Sequence, residues 1–244
     1  RSTQTTPAPV LALRTVTYCT ENEETPITTV VQAPSMLPNT NADAIRGLVP
    51  ISTLARAPQV LLVNDKVPAK DFPSFVEWAR KQPGGVNVAV AGPTDEKSLA
   101  SLARSANLNV VVVSYRGQAL ALTAVLGGEV SVLLGSVSST MNEFIQQGRF
   151  KVIGVTSAEP SAAVPGGVPI GRFVPGYVQD INYALWAPAG TPPDIAAKLT
   201  ASVRQALDEP GMTEKFTGFS VPLAVSGPAE VNRILEREAG LLLR

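Results

Sequence analysis

Four short apolar runs in the middle of the chain place the strongest constraint on its fold. The runs are Val86–Gly92, Asn109–Tyr115, Glu129–Gly135 and Phe150–Thr156, and stretches of helical composition separate them. Apolar strands that alternate with helices predict βαβ units, because each crossover helix returns the chain to the same strand direction and covers one face of the sheet. The block therefore predicts an α/β fold with a parallel sheet and helices on both faces.

The segments on either side of this block have a different pattern. Residues 1–64 contain strand-like runs, among them LVPISTLA and QVLLVN, which are separated by turns rich in Pro and Asn. A helix is predicted over Asp71–Gln82, and residues 157–180 form a connection dense in Pro and Gly. Beyond it, apolar residues at helical spacing predict one helix over Pro193–Leu207 and another from Pro228.

These flanking elements predict a second unit, because the C-terminal strand and helices can pack only on the N-terminal strands. We therefore expect two α/β lobes joined by two crossings. The first lobe is predicted from residues 1–64 and 182–244, and the second, inserted lobe from residues 65–181.

Composition excludes several classes of function. The chain contains no His, which excludes Ser-His-Asp catalysis and imidazole metal ligands. Cys19 is the single Cys, so neither an intrachain disulfide nor a multi-Cys zinc cluster can form. Lys and Arg number 20, as do Asp and Glu, and this neutral balance lacks the basic surface of a nucleic-acid binder. No apolar run approaches the roughly 18 residues of a membrane span.

The candidate site lies where the central apolar runs end, at Ala91–Ser98, Ser114–Gln118 and Leu134–Thr140. Each loop leads into a helix, and the first N–H groups of a helix can bind an anion without a Lys or Arg. Such loops occur in most α/β proteins, and ordinary helix capping stays open as the alternative explanation. The candidate residues are Gly92, Gly117 and Gly135, which allow close backbone approach, and the hydroxyls of Thr94, Ser136 and Ser138.

Four charged or aromatic side chains near these loops have alternative roles. Arg116 is either a surface charge, a partner in a structural salt bridge, or a bidentate clamp on a carboxylate. Tyr115 is either a packing residue or a hydroxyl donor to a ligand. Asp95 and Glu96 fall in the first turn of a predicted helix, where acids are expected to be solvated partners of the helix dipole. No phosphate loop, dinucleotide motif or activated nucleophile occurs, so no cofactor is expected.

The order and spacing of several motifs resemble the substrate-binding proteins of tripartite tricarboxylate transporters, the Bug/TctC-type solute receptors. The resemblance covers Leu48 to Arg244. It depends on four motifs, which are Tyr115-Arg116-Gly117, Leu126-Gly127-Gly128, Val155-Thr156-Ser157 and Ala187-Pro188-Ala189-Gly190-Thr191-Pro192.

The resemblance implies a type II periplasmic-binding-protein fold, with a ligand in the cleft between two lobes. It implies ligand contacts from three loops of the inserted lobe and, in a looser match, from one loop of the other lobe. By position these are Gly92, Pro93 and Thr94, then Tyr115 and Gly117, then Gly135 and Ser136, and finally Pro34 and Ser35. Two departures from the family are visible. No Pro-Ala-Gly-Gly loop occurs between Arg1 and Ala33, so the first lobe is expected to be reduced at its N-terminus. The third loop also reads Gly135-Ser136 where the family often has an Asp, which favours a plain acid over an amine as ligand.

The predicted function is that of a periplasmic receptor that captures a small carboxylate by hinge closure and delivers it to the permease subunits of a transporter. It is expected to be monomeric, to bind no nucleic acid and not to span the membrane. A start at Arg1 without an apolar leader is interpreted as a processed or trimmed form. One alternative is a sensor or interaction protein that kept the fold and lost the ligand. An enzyme on the same scaffold is less favoured, because His and acid pairs are missing from the strand ends.

Overall fold

The computed structural model describes residues 48–188 and 190–234. Cys19, Pro34 and Ser35 lie outside these residues, as does the predicted reduction of the first lobe. The described strands are β1 (Val49–Asn64), β2 (Val86–Val90), β3 (Val110–Ser114), β4 (Val132–Ser136), β5 (Phe150–Val155), β6 (Asp180–Ala187) and β7 (Leu223–Ser226). The helices are α1 (Phe72–Arg80), α2 (Pro93–Ala106), α3 (Gln118–Gly127), α4 (Ser139–Gln146), α5 (Pro193–Leu207) and α6 (Met212–Gly218), with a 3₁₀ turn at Ile170–Arg172 and a helix over residues 228–234.

The central strands form a large sheet in the order β3-β2-β4-β1-β5. β2 is parallel to β3 and to β4, as the alternation of strands and helices predicts. β1, however, lies between β4 and β5 and is antiparallel to both, so the expectation of a purely parallel sheet is wrong. The sequence pattern of the central block could not show this, because β1 enters the sheet from outside that block.

β1 is one continuous strand of 16 residues that belongs to two sheets. Residues 49–58 pair with β6, and part of this stretch also pairs with β7, to form a smaller sheet. From Gln59 onward the strand pairs with β4 and β5 instead. The turn predicted between the runs LVPISTLA and QVLLVN is therefore wrong. A proline has no N–H to donate to a neighbouring strand. Pro58 is tolerated inside β1 because it lies at the point where the strand leaves β6 and begins to pair with β4. The predicted boundaries of the two lobes, residues 1–64 with 182–244 and residues 65–181, remain predictions.

Helices bury both faces of the central part of the large sheet. Alternate side chains of β1 point to opposite faces, as a strand requires: Leu61 joins one buried cluster and Leu62 the other. The first cluster contains α1 and α2, for example through Phe75, and the second contains α3 and α4, for example through Met141. Each fully buried side chain of this size stabilises the fold by about 1.5–3 kcal/mol.

The helix boundaries follow from capping chemistry. α1 begins after Asp71, which forms a reciprocal capping box with Ser74. α2 ends at Asn107 and α3 at Gly128, and both of these cap residues have the left-handed conformation that stops a helix.

β3 departs from the prediction of a strand covered on both faces. It lies at the edge of the large sheet, and the side chains of Val111 and Val112 are each 43% exposed.

The smaller sheet packs against the C-terminal helices. Ala196 of α5 contacts Ile51 and Ala187 on one side. Val231 of the last helix packs on Trp186 in a separate cluster. In the part of the chain that is described, no helix has both the length and the apolar character needed to cross a bilayer.

Candidate functional site

The carboxyl ends of the parallel strands meet at one edge of the large sheet, which we call the loop edge. Val90 at the end of β2 pairs with Ser114 at the end of β3, and Ser136 at the end of β4 pairs with Gln59 of β1. Val155 at the end of β5 pairs with Val60, the next residue along β1. The three predicted loops therefore start from neighbouring strands on the same side of the sheet, and the point at which β1 changes sheets lies beside them.

The first loop leads directly into α2. Gly92 is the N-cap residue in an extended conformation, and no side chain caps the helix. The first intrahelical bond is donated by the Glu96 N–H to the Gly92 carbonyl (3.1 Å), so the positive end of the helix dipole lies at the loop edge. Pro93 is exposed, whereas Gly92 and Thr94 are half-buried.

The second loop contains the Tyr115-Arg116-Gly117 motif, and each of its three residues lies in a different environment. The Tyr115 hydroxyl donates to the Glu129 carboxylate (3.4 Å), a residue that follows the far end of α3. Arg116 is exposed. Gly117 is the N-cap of α3 with φ of 105°, a conformation that favours glycine, and α3 also lacks a side-chain cap.

The third loop is partly occupied by contacts within the protein. The Gln118 side chain at the start of α3 donates to the carbonyl of Ser136, which joins the second loop to the third. The Ser138 hydroxyl accepts the N–H of Met141 (3.2 Å) and caps α4, so ordinary capping explains this hydroxyl. Gly135 is buried and Ser136 is half-buried.

The structure also places a buried acid at the loop edge, and the sequence interpretation of Asp95 as a solvated residue is wrong. Its side chain is 6% exposed. Its Oδ2 accepts the N–H of Ala91 (3.1 Å), and its Oδ1 accepts the side-chain amide of Gln59 (2.5 Å). The relevant sequence signal is that Asp95 is the third residue of a helix that directly follows a strand, from which an acid can bond back to the preceding main chain.

The environment of Asp95 shifts its protonation. Burial raises the pKa of this carboxyl from 3.8 to about 6, although the hydrogen bonds from Ala91 and Gln59 oppose the change and the charge of Glu96 adds to it. Glu96 is half-buried, and its carboxylate accepts the Ser114 hydroxyl (2.5 Å). The loop edge therefore carries negative charge beside the positive helix ends.

Gln59 and Thr156 connect the loop edge to both chain crossings. The Gln59 N–H donates to Thr156 Oγ1 (2.8 Å), and the Thr156 N–H donates to the Gln59 carbonyl (3.0 Å). The Thr156 carbonyl accepts the N–H of Gln179 (2.9 Å), which immediately precedes β6. Both Gln59 and Thr156 are buried. Neither residue was a sequence candidate, because a polar residue in an apolar run carries no local sign of its partner.

Together, the structure brings Gly92, Gly117 and Ser136 to one edge and directs the Tyr115 hydroxyl to Glu129. Their roles toward a ligand stay predictions, as do those of Pro34 and Ser35. Among the described residues, no group of three Cys, Asp or Glu side chains could hold a metal ion.

Two sheets that share strand β1, with uncapped helix N-termini at the loop edge, are the arrangement expected of the two-lobed type II periplasmic-binding-protein fold. Solved structures support this fold. The periplasmic binding protein BugD superposes with a TM-score of 0.70 at 20% identity, covering 87% of this chain and 73% of that protein. At this identity the similarity shows the fold alone, and it confirms the predicted type II periplasmic-binding-protein fold.

The chain belongs to the tripartite tricarboxylate transporter family receptors, whose family model matches residues 23–239. This confirms the resemblance of the motifs. The family is one of solute receptors and not of enzymes.

Two curated relatives match most of the chain. A protein encoded in the tcbD-tcbE intergenic region of Pseudomonas sp. strain P51 is 28% identical over 197 residues, which cover 79% of this chain and 58% of the relative. Protein BugT of Bordetella pertussis is 24% identical over 211 residues, which cover 84% of this chain and 63% of BugT. The chain therefore spans about six-tenths of the length of these relatives.

Two further solved structures contain acids. MatC from Rhodopseudomonas palustris with bound malate has a TM-score of 0.68 at 25% identity, covering 87% of this chain and 73% of MatC. Another R. palustris protein, determined with adipate, has a TM-score of 0.67 at 23% identity, covering 80% of this chain and 66% of that protein.

Proposed function

We propose that this chain is a periplasmic receptor that captures a small carboxylate at the loop edge and delivers it to the permease of a tripartite tricarboxylate-type transporter. The observation that carries the proposal is the pair of helix N-termini without side-chain caps, α2 at Gly92 and α3 at Gly117, on neighbouring strands. A carboxylate placed there would accept main-chain N–H groups and meet the positive ends of both helix dipoles.

Capture is coupled to closure through the two chain crossings. One crossing is β1 itself, which changes sheets between Pro58 and Gln59, and the other runs from Thr156 to Asp180. Rotation of the smaller sheet about these crossings would cover an acid held at the loop edge, which is the hinge motion of this class of fold.

Plain di-acids are the preferred class of ligand. MatC was determined with bound malate and the second R. palustris protein with adipate; both acids carry two carboxylates on a short carbon chain, and malate also carries a hydroxyl. Arg116 is exposed beside the α3 end and would attract such anions from solution.

A substitution at Gly92 tests the proposal. Its backbone is extended with φ of 174°, and a Cβ there would meet no atom within 4 Å, so a substitution introduces neither backbone strain nor a Cβ clash. Gly92→Asp supplies an internal carboxylate to the α2 N-terminus and would compete with a bound acid. The reference is Gly92→Ala, which adds the same Cβ without the charge.

Calorimetry with malate and with adipate measures the result. We expect Gly92→Asp to bind at least about tenfold more weakly than Gly92→Ala, the effect of a competing charge-assisted hydrogen bond. Equal affinity in the two variants would contradict capture at the α2 end. A folded wild-type protein that binds neither these acids nor a panel of tricarboxylates and aromatic acids would instead favour the sensor or interaction protein.

A further inference from the structure

Asp95 is the meeting point of three chain segments at the loop edge. Its two carboxylate oxygens accept hydrogen bonds from Ala91 at the end of β2 and from Gln59 in β1. A Cβ added at Gly135, the penultimate residue of β4, would lie 3.8 Å from Asp95 Oδ2, so β4 also passes beside this carboxylate. Asp95 therefore holds the first loop against the strands on which the third loop and the β1 crossing depend.

The connection continues to the second crossing. The Gln59 side chain donates to Asp95, its N–H donates to the Thr156 hydroxyl, and its carbonyl accepts the Thr156 N–H. The Thr156 carbonyl in turn accepts the N–H of Gln179. A continuous series of hydrogen bonds thus runs from the first turn of α2 to both crossings.

The groups that surround the carboxylate are mostly neutral. β1 presents the Gln59 amide, β2 presents main chain, and β4 presents Gly135. The charge that acts on Asp95 from its own helix is that of Glu96. A carboxylate bound at the α2 end would therefore add a second negative charge close to Asp95, and few solvent molecules would screen it, because Asp95 is buried.

Resting on the proposed function, we infer that Asp95 is a positioning residue through which capture of an acid is linked to uptake of a proton. A negative ligand beside a buried carboxylate favours the protonated carboxyl, and by reciprocity a protonated carboxyl favours the ligand. The proton comes from solvent and binds Asp95, so the charge that the acid brings to the loop edge is partly neutralised there. The raised pKa of about 6 means that this proton exchange falls near neutral pH.

The test is calorimetry of malate and adipate in buffers of low and high ionisation enthalpy, which measures proton uptake directly. For the wild-type chain we expect net uptake, and an affinity that falls about tenfold, or about 1.4 kcal/mol, from about pH 5.5 to about pH 7.5. Asp95→Asn keeps the size of the side chain and can still pair with Gln59 if that amide reverses. It should lose both the proton uptake and this pH dependence, apart from the ionisation of the acids themselves.

The matched control is Asp194→Asn, the same substitution in the first turn of α5 at an exposed position. It should keep the wild-type pH profile. Identical profiles for Asp95→Asn and the wild type, with both acids bound, would overturn the inference and leave the proposed receptor function intact.

If neither acid binds, the result counts against the proposed function. The proton exchange of Asp95 is then tested by a measurement that needs no ligand. The Asp95 carboxyl signal, identified by its loss in Asp95→Asn, is followed by ¹³C NMR across the pH range. Ionisation near pH 6 would support a carboxyl that exchanges a proton near neutral pH. Ionisation in the ordinary range of an exposed Asp would overturn it.

Discussion

Removal of the Asp95 charge should change how stability depends on pH, without any ligand. Burial raises the pKa of this carboxyl from 3.8 to about 6. The folded protein therefore holds a proton that the unfolded chain releases, and the free energy of unfolding falls as pH rises between these two values. At about 1.4 kcal/mol for each tenfold change in proton affinity, the wild type should lose about 3 kcal/mol across this window.

The Asp95→Asn variant cannot show this pH-dependent loss of stability, because its side chain at residue 95 does not ionise. Its free energy of unfolding, measured by urea titration and compared with that of the wild type, should therefore gain about 3 kcal/mol between about pH 4 and about pH 7. If the free energies of unfolding of the two proteins differ by the same amount at every pH, the difference reflects only altered hydrogen bonds. That result would refute the assignment of a proton to the buried Asp95.

Asp71 provides a control of opposite sign. It is exposed, and the hydroxyl and N–H of Ser74 lower the pKa of its carboxyl. The stability that Asp71 contributes is present above the unfolded pKa and is lost as pH falls through the folded one. Asp71→Asn should therefore move the pH dependence in the direction opposite to Asp95→Asn.

Two further substitutions test the packing that supports the loop edge. Thr156→Val removes the fully buried hydroxyl that accepts the Gln59 N–H, and should lower the free energy of unfolding in urea by about 1–3 kcal/mol. Thr156→Ser keeps a hydroxyl and should retain most of this stability. An unchanged unfolding midpoint for the Val variant would contradict the hydrogen bond. Met141→Ala leaves a cavity between α4 and the sheet and should lower the free energy of unfolding by about 2–5 kcal/mol, whereas Met141→Leu should lower it by less than about 1.5 kcal/mol. Equal losses of stability in the two variants would contradict close packing around Met141.

The predicted elements that proved accurate depend on local signals. α2 and α3 follow apolar runs that end in Gly or a short polar loop, and their ends at Asn107 and Gly128 carry the usual stop residues. The common edge of β2, β3 and β4 follows from the parallel strands of βαβ units and needs no tertiary information.

The features that sequence could not predict depend on partners far along the chain. Pro58 was interpreted as part of a turn because its neighbours give no sign that β1 exchanges β6 for β4 at that point. The run that forms β3 was expected to be buried on both faces, yet a strand at the end of a sheet has the same local sequence as a central one.

Asp95 also changes what the third loop implies about the ligand. The replacement of an acid by Gly135-Ser136 favours a plain acid, because a partner for a ligand amine is missing from that loop. The structure places the carboxylate of Asp95 beside the same position, 3.8 Å from where a side chain at Gly135 would begin. Negative charge is therefore present at the third loop but is supplied from the first. The proposed preference for a plain acid should therefore be strongest at low pH, where the Asp95 carboxyl is protonated and neutral.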